Sequence, residues 1–389
     1  MTAEPTEPVG LGTVAREWTR IGLTGFGGPP AHIALLRRMV VDERGWIEPR
    51  EFEEAIGACN LLPGPASTQL ALFCAQRVAG TPGVLVGGLG FIGPAVVMML
   101  ILSALFLSQS PPLWVRGAGA GAGSAVAAVA VTAAMGLLRP SWSRVVRDRA
   151  RRERWFVYVL VGGAAAATLG PYLVLVLLAA GLAELAVSSR MRARLQAHGW
   201  MVVLPLAAAA VGGIPALIWV AFKVGALSYG GGFVIIPLMQ GDAVHTYHWM
   251  TSAQFLNAVA LGQVTPGPVV ATVAAVGYAA HGVGGGLLAA FVAFLPSFLF
   301  VLIGGRHFDR LRNNWRAQRF LDGAGPAAVG AIFGSAIPLA ASLHEGWQFG
   351  LLAAAAVALL VGRLGIVTTL AACGVIGGIG AVAGAPIPH

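Results

Sequence analysis

The sequence predicts an all-α polytopic membrane protein, an inverted-topology repeat of two halves whose broken or re-entrant helices meet near the midplane. Three observations predict this fold class. The chain is 57% hydrophobic and 11% charged over 389 residues, whereas soluble domains carry about 25% charged residues. Glycine and proline motifs recur in register, as at Gly27 and Gly230, where 230 − 27 = 203. Arginine clusters fall in loops that are not equivalent in the two halves.

Largely apolar stretches of span length follow one another along the chain, and a spanning helix needs about 20 such residues. They are 82–110, 117–138, 155–188, 200–222, 282–305 and 320–343, followed by a long stretch from 347 onward interrupted by Arg363. The start is polar and acidic, without the features of a cleaved signal peptide, so the first inserted helix is expected to direct targeting. The lipid bilayer is therefore the expected partner, and the inner (plasma) membrane the expected location.

The net charge of +9 comes from loop arginines and not from an aromatic-rich basic surface, so no nucleic-acid partner is expected. The clusters are Arg139, Arg144, Arg147, Arg149, Arg151, Arg152 and Arg154; Arg190, Arg192 and Arg194; and Arg306, Arg310, Arg312, Arg316 and Arg319. Such clusters between spans mark cytoplasmic loops. Three cysteines without CxxC spacing indicate free thiols and neither a metal site nor a disulfide framework.

The arginine clusters also orient the repeats. The window 306–319 carries five Arg and its equivalent 103–116 one, whereas 139–154 carries seven and its equivalent 342–357 none. Equivalent loops therefore lie on opposite sides of the membrane. The expected organisation is a polar tail over 1–12, a first repeat over 13–199 and an inverted second repeat over 200–389.

The number of spans is consistent with this orientation only if the regions rich in Gly and Pro turn back. We therefore expect 13–42 and 52–77, with their equivalents 216–245 and 255–280, to be hairpins of half-helices that re-enter on their own side. Irregular backbone at such depth is tolerated where it is buried in protein or lines a cavity. These four hairpins should face one another at the centre.

The repeated residues are glycines and prolines, and the repeat needs no gap. They include Gly22, Gly27, Gly28, Pro63, Gly64 and Pro65, which recur as Gly225, Gly230, Gly231, Pro266, Gly267 and Pro268. Glycine adopts backbone angles that other residues avoid, and proline ends one helix while suiting the first turn of the next. Each motif is predicted to break one helix and start another.

A helix that begins at Pro65 or Pro268 has free N–H groups and about +0.5 charge at its start, which favours an anion. In the first half Ser67, Thr68 and Gln69 add donors, and in the second half Thr265 and Thr272 flank the same motif. Two such starts meeting near the midplane would suit a tetrahedral oxyanion. The alternative is that Pro-Gly-Pro only kinks two helices for packing.

Arg20 and Lys223 occupy equivalent positions, seven residues before Gly27 and Gly230, or about 10 Å along a helix. A cation at the bilayer centre costs roughly 2.5–3.5 kcal/mol unless it is compensated. An anionic substrate would compensate both charges, or both side chains extend to the headgroups. Asp242 and Glu184 are read as isolated acids in apolar surroundings and are weaker candidates for proton coupling.

Four further polar residues lie near the motifs. His32 is either a proton carrier or a buried, hydrogen-bonded histidine. Asn60 and Gln263 precede the two Pro-Gly-Pro turns, where an amide satisfies freed backbone groups or contacts substrate. Arg77 lies 12 residues beyond Pro65, about 18 Å along the helix, so we expect it at the membrane interface in a structural or gating role.

These motifs resemble the chromate ion transporter family in its long, two-domain form. The resemblance is strongest over 13–110 and 216–305 and rests on Phe26-Gly27-Gly28-Pro29-Pro30-Ala31-His32, Leu61-Leu62-Pro63-Gly64-Pro65, Thr68-Gln69-Leu70-Ala71, Arg77 with Ala79-Gly80, and Thr265-Pro266-Gly267-Pro268. It implies chromate efflux driven by the proton motive force, giving chromate resistance, with sulfate as the similar anion. The family commonly has Gln where this chain has Asn60, which bears on substrate preference.

Other functions are weighed against this expectation. An enzyme such as a membrane reductase needs a redox centre, and the sequence has no haem-ligand pair, cysteine cluster or dinucleotide motif. We therefore expect neither catalysis nor a cofactor. A sulfate or other oxyanion transporter and a passive anion channel remain open alternatives, and a homodimer is compatible with the sequence.

Overall fold

A computed structural model describes residues 9–59, 64–108, 110–146, 148–169, 172–192, 212–228, 232–304 and 314–387. These residues form helices and connecting turns without a β-strand. Four helical stretches among them are long and apolar enough to cross a membrane: Ala66–Phe106, Leu113–Ser143, Val269–Ile303 and Trp315–Ala341. The predicted fold class, an all-α membrane protein of two halves, is confirmed.

The first half contains eight helices in the described residues. They are α1 (Leu11–Thr24), α2 (Pro29–Arg37, continued by a π-helical turn Arg38–Glu43), α3 (Pro49–Cys59), α4 (Ala66–Phe106), α5 (Leu113–Ser124), α6 (Val126–Ser143), α7 (Arg149–Thr168) and α8 (Leu173–Arg192). A span predicted near 200–222 and the boundary predicted at 199/200 lie largely or wholly outside the described residues, which resume at 212.

The second half repeats this order. Its helices are α9 (Ile214–Leu227), α10 (Ile235–Gln240, continued by a π-helical turn Gly241–Thr246), α11 (Ser252–Val264), a 3₁₀ turn (Val269–Thr272) leading into α12 (Val273–Gly304), α13 (Trp315–Ala341), α14 (Gly346–Leu360) and α15 (Ile366–Val382). The bounds of α1 and α9 differ by 203 at both ends, since 214 − 11 and 227 − 24 are equal. The π-helical turns show the same spacing.

The repeat is not gapless throughout, which corrects the sequence-based expectation. Both long helices have an internal kink, at Ala79 and Gly80 in α4 and at His281 and Gly282 in α12, so the spacing there is 281 − 79 = 202. The second half therefore has one residue fewer than the first between its Pro-Gly-Pro turn and its kink. This stretch includes the 3₁₀ turn that precedes α12. Four 3₁₀ residues rise about 8 Å and five α-helical residues about 7.5 Å, so one fewer residue covers the same length.

Ion pairs at their open ends show that the two Gly/Pro-rich regions of the first half turn back as predicted. Arg44 lies 2.8 Å from Glu17, which closes the hairpin of α1 and α2. Arg77 pairs with Glu51, which closes the hairpin of α3 and the first segment of α4. The first segment of α4, residues 66–78, rises about 20 Å. The hydrocarbon core of a bilayer is about 30 Å thick, so a segment that starts near the midplane ends at the membrane surface.

The two halves exchange their terminal helices. The α7–α8 pair of the first half packs against α13, while α14 and α15 pack against α5 and α6. Close backbone approach at these contacts depends on glycine, since a Cβ at Gly121, Gly162, Gly330 or Gly377 would collide with the backbone of the facing helix. Small residues at helix crossings are the usual means of close packing in membranes.

Two opposite faces of the molecule can be defined from contacts. At the first, which we name the arginine-rich face, Arg151 at the start of α7 lies 2.5 Å from Asp322 near the start of α13. The starts of α7 and α13, which adjoin the loops predicted to share one side of the membrane, thus meet. At the second, the opposite face, one cavity is lined by Ser108, Thr251 and Ser342 from three separate turns.

Candidate functional site

The helix breaks of the two halves meet inside the molecule. The backbone N–H of Gly267, in the second Pro-Gly-Pro turn, donates to the carbonyl oxygen of Gly25 at the first glycine-rich break, over 3.0 Å. In the reciprocal contact, a Cβ at Gly64 would lie 3.5 Å from the carbonyl oxygen of Gly225 and 3.3 Å from Ser297 Oγ. Each half therefore brings its Pro-Gly-Pro turn against the broken helix of the other half.

Glycine is required at the centre of both Pro-Gly-Pro turns. Gly64 has φ of +118° and Gly267 has φ of +100°, in the region that side-chain-bearing residues avoid. The following prolines, Pro65 and Pro268, have extended backbone angles and precede the helical starts. The turn geometry repeats although the helical starts that follow it differ.

The first half supplies most of the polar side chains at its own helix start. Ser67, Thr68 and Gln69 occupy the first turn of α4 and are all buried. Pro65 has no side chain that can cap the helix, so the residue that caps other helix starts supplies no partner for the first N–H groups of α4. The predicted donor set is therefore assembled in one turn.

His32 connects the two helix starts through hydrogen bonds. Its Nε2 lies 2.9 Å from the carbonyl oxygen of Gly25 and its Nδ1 lies 3.4 Å from Ser67 Oγ. A carbonyl oxygen only accepts, so Nε2 carries the proton, and Nδ1 of the neutral ring accepts from the Ser67 hydroxyl. Because Gly25 also accepts from Gly267, the chain of bonds runs from the start of α4 to the second Pro-Gly-Pro turn.

Several buried polar atoms near the breaks have no hydrogen-bond partner in the described part of the chain. They are Thr68 Oγ1, Ser228 Oγ, Gln263 Nε2 and Ser297 Oγ. Ser228 and Ser297 lie beside Gly232 and Gly64 respectively. Buried polar groups are nearly always satisfied in proteins, so this group of atoms is equipped to bind a polar ligand.

The second helix start offers fewer donors. Thr272 Oγ1 donates to the carbonyl oxygen of Val269 over 2.7 Å, and Thr265 Oγ1 lies 3.6 Å from the sulfur of Met99. Both hydroxyls therefore already have partners. The two half-sites share a backbone plan but differ in side-chain chemistry.

The two predicted cations have carboxylate partners within the chain. Lys223 Nζ lies 2.6 Å from Asp242 Oδ2, and both side chains are at most 7% exposed. Arg20 is 54% exposed and lies 3.0 Å from Glu17 and 3.7 Å from Glu43. A contact of either cation with substrate stays a prediction, and Lys223 does not extend to the headgroups.

The reading of Asp242 and Glu184 as isolated acids is wrong. Asp242 pairs with Lys223, and Glu184 accepts two hydrogen bonds from Arg154, at 2.7 and 3.0 Å, and one from Tyr158 at 3.1 Å. The partners are distant in sequence, and each acid is too costly in apolar surroundings without one.

The remaining predicted residues are placed as follows. Gly27 and Gly28 form the first break, and both have positive φ. The guanidinium of Arg77 also lies over the Phe73 ring, 5.8 Å from its centroid. Asn60, Pro63, Gly230 and Gly231 lie outside the described residues. Sequence reasoning missed Ser228 and Ser297, because neither belongs to the repeated motif. In the sequence, each is marked only by being a hydroxyl residue in an apolar stretch.

Paired helix breaks inside a bundle of apolar helices, with inverted halves, define a polytopic membrane transporter. The sequence model of the family described as "Chromate transporter" matches residues 12–212 and 215–378. The chain belongs to this family.

Individual relatives agree with this assignment. The chain is 32% identical to the chromate transport protein of Cupriavidus metallidurans over 352 residues, covering 88% of this chain and 86% of the relative. It is 30% identical to the chromate transport protein of Pseudomonas aeruginosa, covering 86% and 82% respectively. An uncharacterized transporter of Methanocaldococcus jannaschii is 26% identical over 76% of both chains. No solved structure matches the chain.

Proposed function

We propose that this protein exports chromate from the cytoplasm across the inner membrane, driven by the proton motive force, and thereby confers chromate resistance. The observation that carries the proposal is the meeting of two helix breaks around buried hydroxyls that lack partners in the described residues. The names of the relatives from C. metallidurans and P. aeruginosa support chromate as the substrate.

The chemistry of the breaks favours an anion. Thr68, Ser228 and Ser297 present hydroxyls that have no partner within the described residues, and the starts of two helices present N–H groups. A helix start contributes about 0.3–1 kcal/mol to an anion when exposed and up to about 2 kcal/mol when partly buried. Removing water from a divalent anion costs more than this, so hydroxyl donors and a nearby cation are needed. Arg20 and Lys223 are the proposed cations.

Inside-out membrane vesicles test the direction and the driving force. We expect such vesicles to accumulate chromate against its gradient when a proton gradient is imposed, and to stop when a protonophore collapses it. Flux that only follows the chromate gradient would instead indicate a passive channel. Competition by sulfate, molybdate and phosphate at equal concentration ranks the oxyanions, and stronger inhibition by sulfate than by unlabelled chromate would overturn the substrate assignment.

A matched pair of variants connects this activity to the helix breaks. Thr68→Ala removes a buried hydroxyl without a partner in the described residues, whereas Ser124→Ala removes a buried hydroxyl that donates to the carbonyl oxygen of Ala120 within its own helix. We expect Thr68→Ala to reduce chromate accumulation and Ser124→Ala to leave it close to the parent. Equal activities would place the substrate away from the start of α4.

A further inference from the structure

A cavity with a few polar side chains in a largely apolar lining opens on the arginine-rich face and extends inward to Val234, beside the second helix break. Its volume is about 240 Å³, and its lining includes Ser141, Arg144 and Asp322. Its inner wall includes Val234, which directly precedes α10 and lies two residues beyond Gly232 of the glycine-rich break. The inner end of this cavity, which we name the arginine vestibule, therefore lies next to the second helix break.

The charges around this vestibule are unbalanced. Asp322, 13% exposed, pairs with Arg151 at 2.5 Å and with Arg319 at 3.3 Å. Arg144 lines the same cavity and makes no hydrogen bond or ion pair within the described residues. The Nε of Arg151 is buried and has no partner there either. Two guanidinium groups thus share one carboxylate, and the guanidinium of Arg144 has no ion-pair partner among the described residues.

The opposite face carries a related cavity with different chemistry. Its volume is about 530 Å³, and its lining includes Ala120 and Gly123 of α5, which are the equivalents of Asp322 and Gly325 by the 202-residue spacing. Arg116 is the charged residue of its lining, beside uncharged polar groups such as Gln254 and Asn257. The inverted repeat therefore builds two related cavities, and the cluster of arginines belongs to one of them.

We propose that the arginine vestibule is a capture site for divalent tetrahedral oxyanions, in which the anion takes the place of Asp322 against Arg151 and Arg319 while Arg144 supplies a third guanidinium. Guanidinium groups bind oxyanions through paired, charge-assisted hydrogen bonds. A recess with an excess of positive charge also concentrates anions. The direction of transport is the part of this inference that rests on the proposed function. In that direction, the opposite cavity binds the anion more weakly and is the side from which it is released.

Because the anion and the Asp322 carboxylate compete for the same arginines, the site can both bind the anion and release it. Arg151 and Arg319 stay paired with Asp322 in the empty state, so the two guanidinium groups that the anion takes over are compensated before it binds. When the anion moves on to the helix breaks, the carboxylate returns to the same donors. A neutral residue in place of Asp322 removes this competitor, and the predicted consequence is tighter binding.

Equilibrium dialysis of chromate against the purified full-length protein at low ionic strength tests the site. We expect Arg144→Gln to weaken binding about tenfold, the loss of one charge-assisted hydrogen bond, and Asp322→Asn to tighten it several-fold. Arg116→Gln in the opposite cavity is the matched control and should bind like the parent. Tighter binding by Asp322→Asn cannot result from misfolding.

Three results would overturn the proposal: parent-like binding by Arg144→Gln, no gain in Asp322→Asn, or the same loss in Arg116→Gln. A phospholipid headgroup presents similar oxygens, so the dialysis is repeated with phosphatidylglycerol in the micelles. If that lipid abolishes chromate binding by the parent, the vestibule is a lipid site. Chromate uptake by vesicles is scored separately: the expected binding pattern without uptake would refute the proposed function and leave the capture site standing.

Discussion

Removing one partner of the buried pair Lys223–Asp242 should destabilise the protein far more than removing both. The two charged atoms are 2.6 Å apart, and the side chains are 7% and 4% exposed. Lys223→Gln leaves the Asp242 carboxylate buried without its counter-charge, and Asp242→Asn does the same to the ammonium. Breaking a buried pair in this way costs about 3–5 kcal/mol.

The double variant Lys223→Gln/Asp242→Asn removes both charges and leaves two amides that can hydrogen-bond each other. Its cost should therefore be smaller than that of either single variant, since replacing a whole buried pair is often close to neutral. The measurement is the apparent melting temperature of the detergent-purified protein. The parent, the two single variants and the double variant are ranked by this temperature. A double variant less stable than both singles would refute the reasoning, because it would show that the charges do not compensate each other.

Arg20→Gln is the matched control at the equivalent position. Arg20 is 54% exposed, and its partner Glu17 also lies 2.8 Å from Arg44. An exposed ion pair contributes only about 0–1 kcal/mol, so this variant should melt close to the parent. Transport separates the roles: we expect the double variant to be stable but to move little chromate, because no cation remains beside the second break. A double variant with parental transport would show that the pair is structural.

Three further predictions concern the helix breaks and the topology. Thr68→Ala should weaken equilibrium binding of chromate whereas Arg77→Lys should keep most of it, as dialysis would show; equal losses would contradict the assignment of Arg77 to the interface. Gly267→Ala forces a side chain into φ of +100°, at a cost of about 1–3 kcal/mol, and should lower the melting temperature; an unchanged value would contradict this. Reporter fusions after Leu138 and after Gly305 should report the same side of the membrane, and opposite sides would disprove the inverted arrangement.

The repeat made the backbone predictable because glycine and proline act locally. A residue such as Gly64 favours a turn through its own backbone angles, so the four hairpins and their meeting at the centre could be expected from the repeated motifs together with the arginine asymmetry. The change of the repeat spacing from 203 to 202 residues could not be expected, because it depends on the 3₁₀ turn at Val269–Thr272. Nothing in the composition of that segment requires it.

Side-chain partners were harder to predict, since they depend on distances between elements far apart in sequence. Asp242 and Lys223 are 19 residues apart on two different helices, and Arg154 and Glu184 are 30 apart. Each charge on its own looks like an anomaly in an apolar stretch. The cost of burying it shows that a partner must exist, but only the packing shows which residue that partner is.

The asymmetry between the halves makes the two approaches to the centre chemically different. Two identical inverted halves would give the same site and the same approach from both faces, and such a protein would have no built-in difference between loading and release. Here the backbone plan is repeated while the chemistry is not. His32 and Ser67 connect the first break to the start of α4, whereas the equivalent positions, at the 203-residue spacing, are the apolar Ile235 and Val270. The helix breaks therefore provide a common frame, and single substitutions within it make the two approaches to the centre unequal.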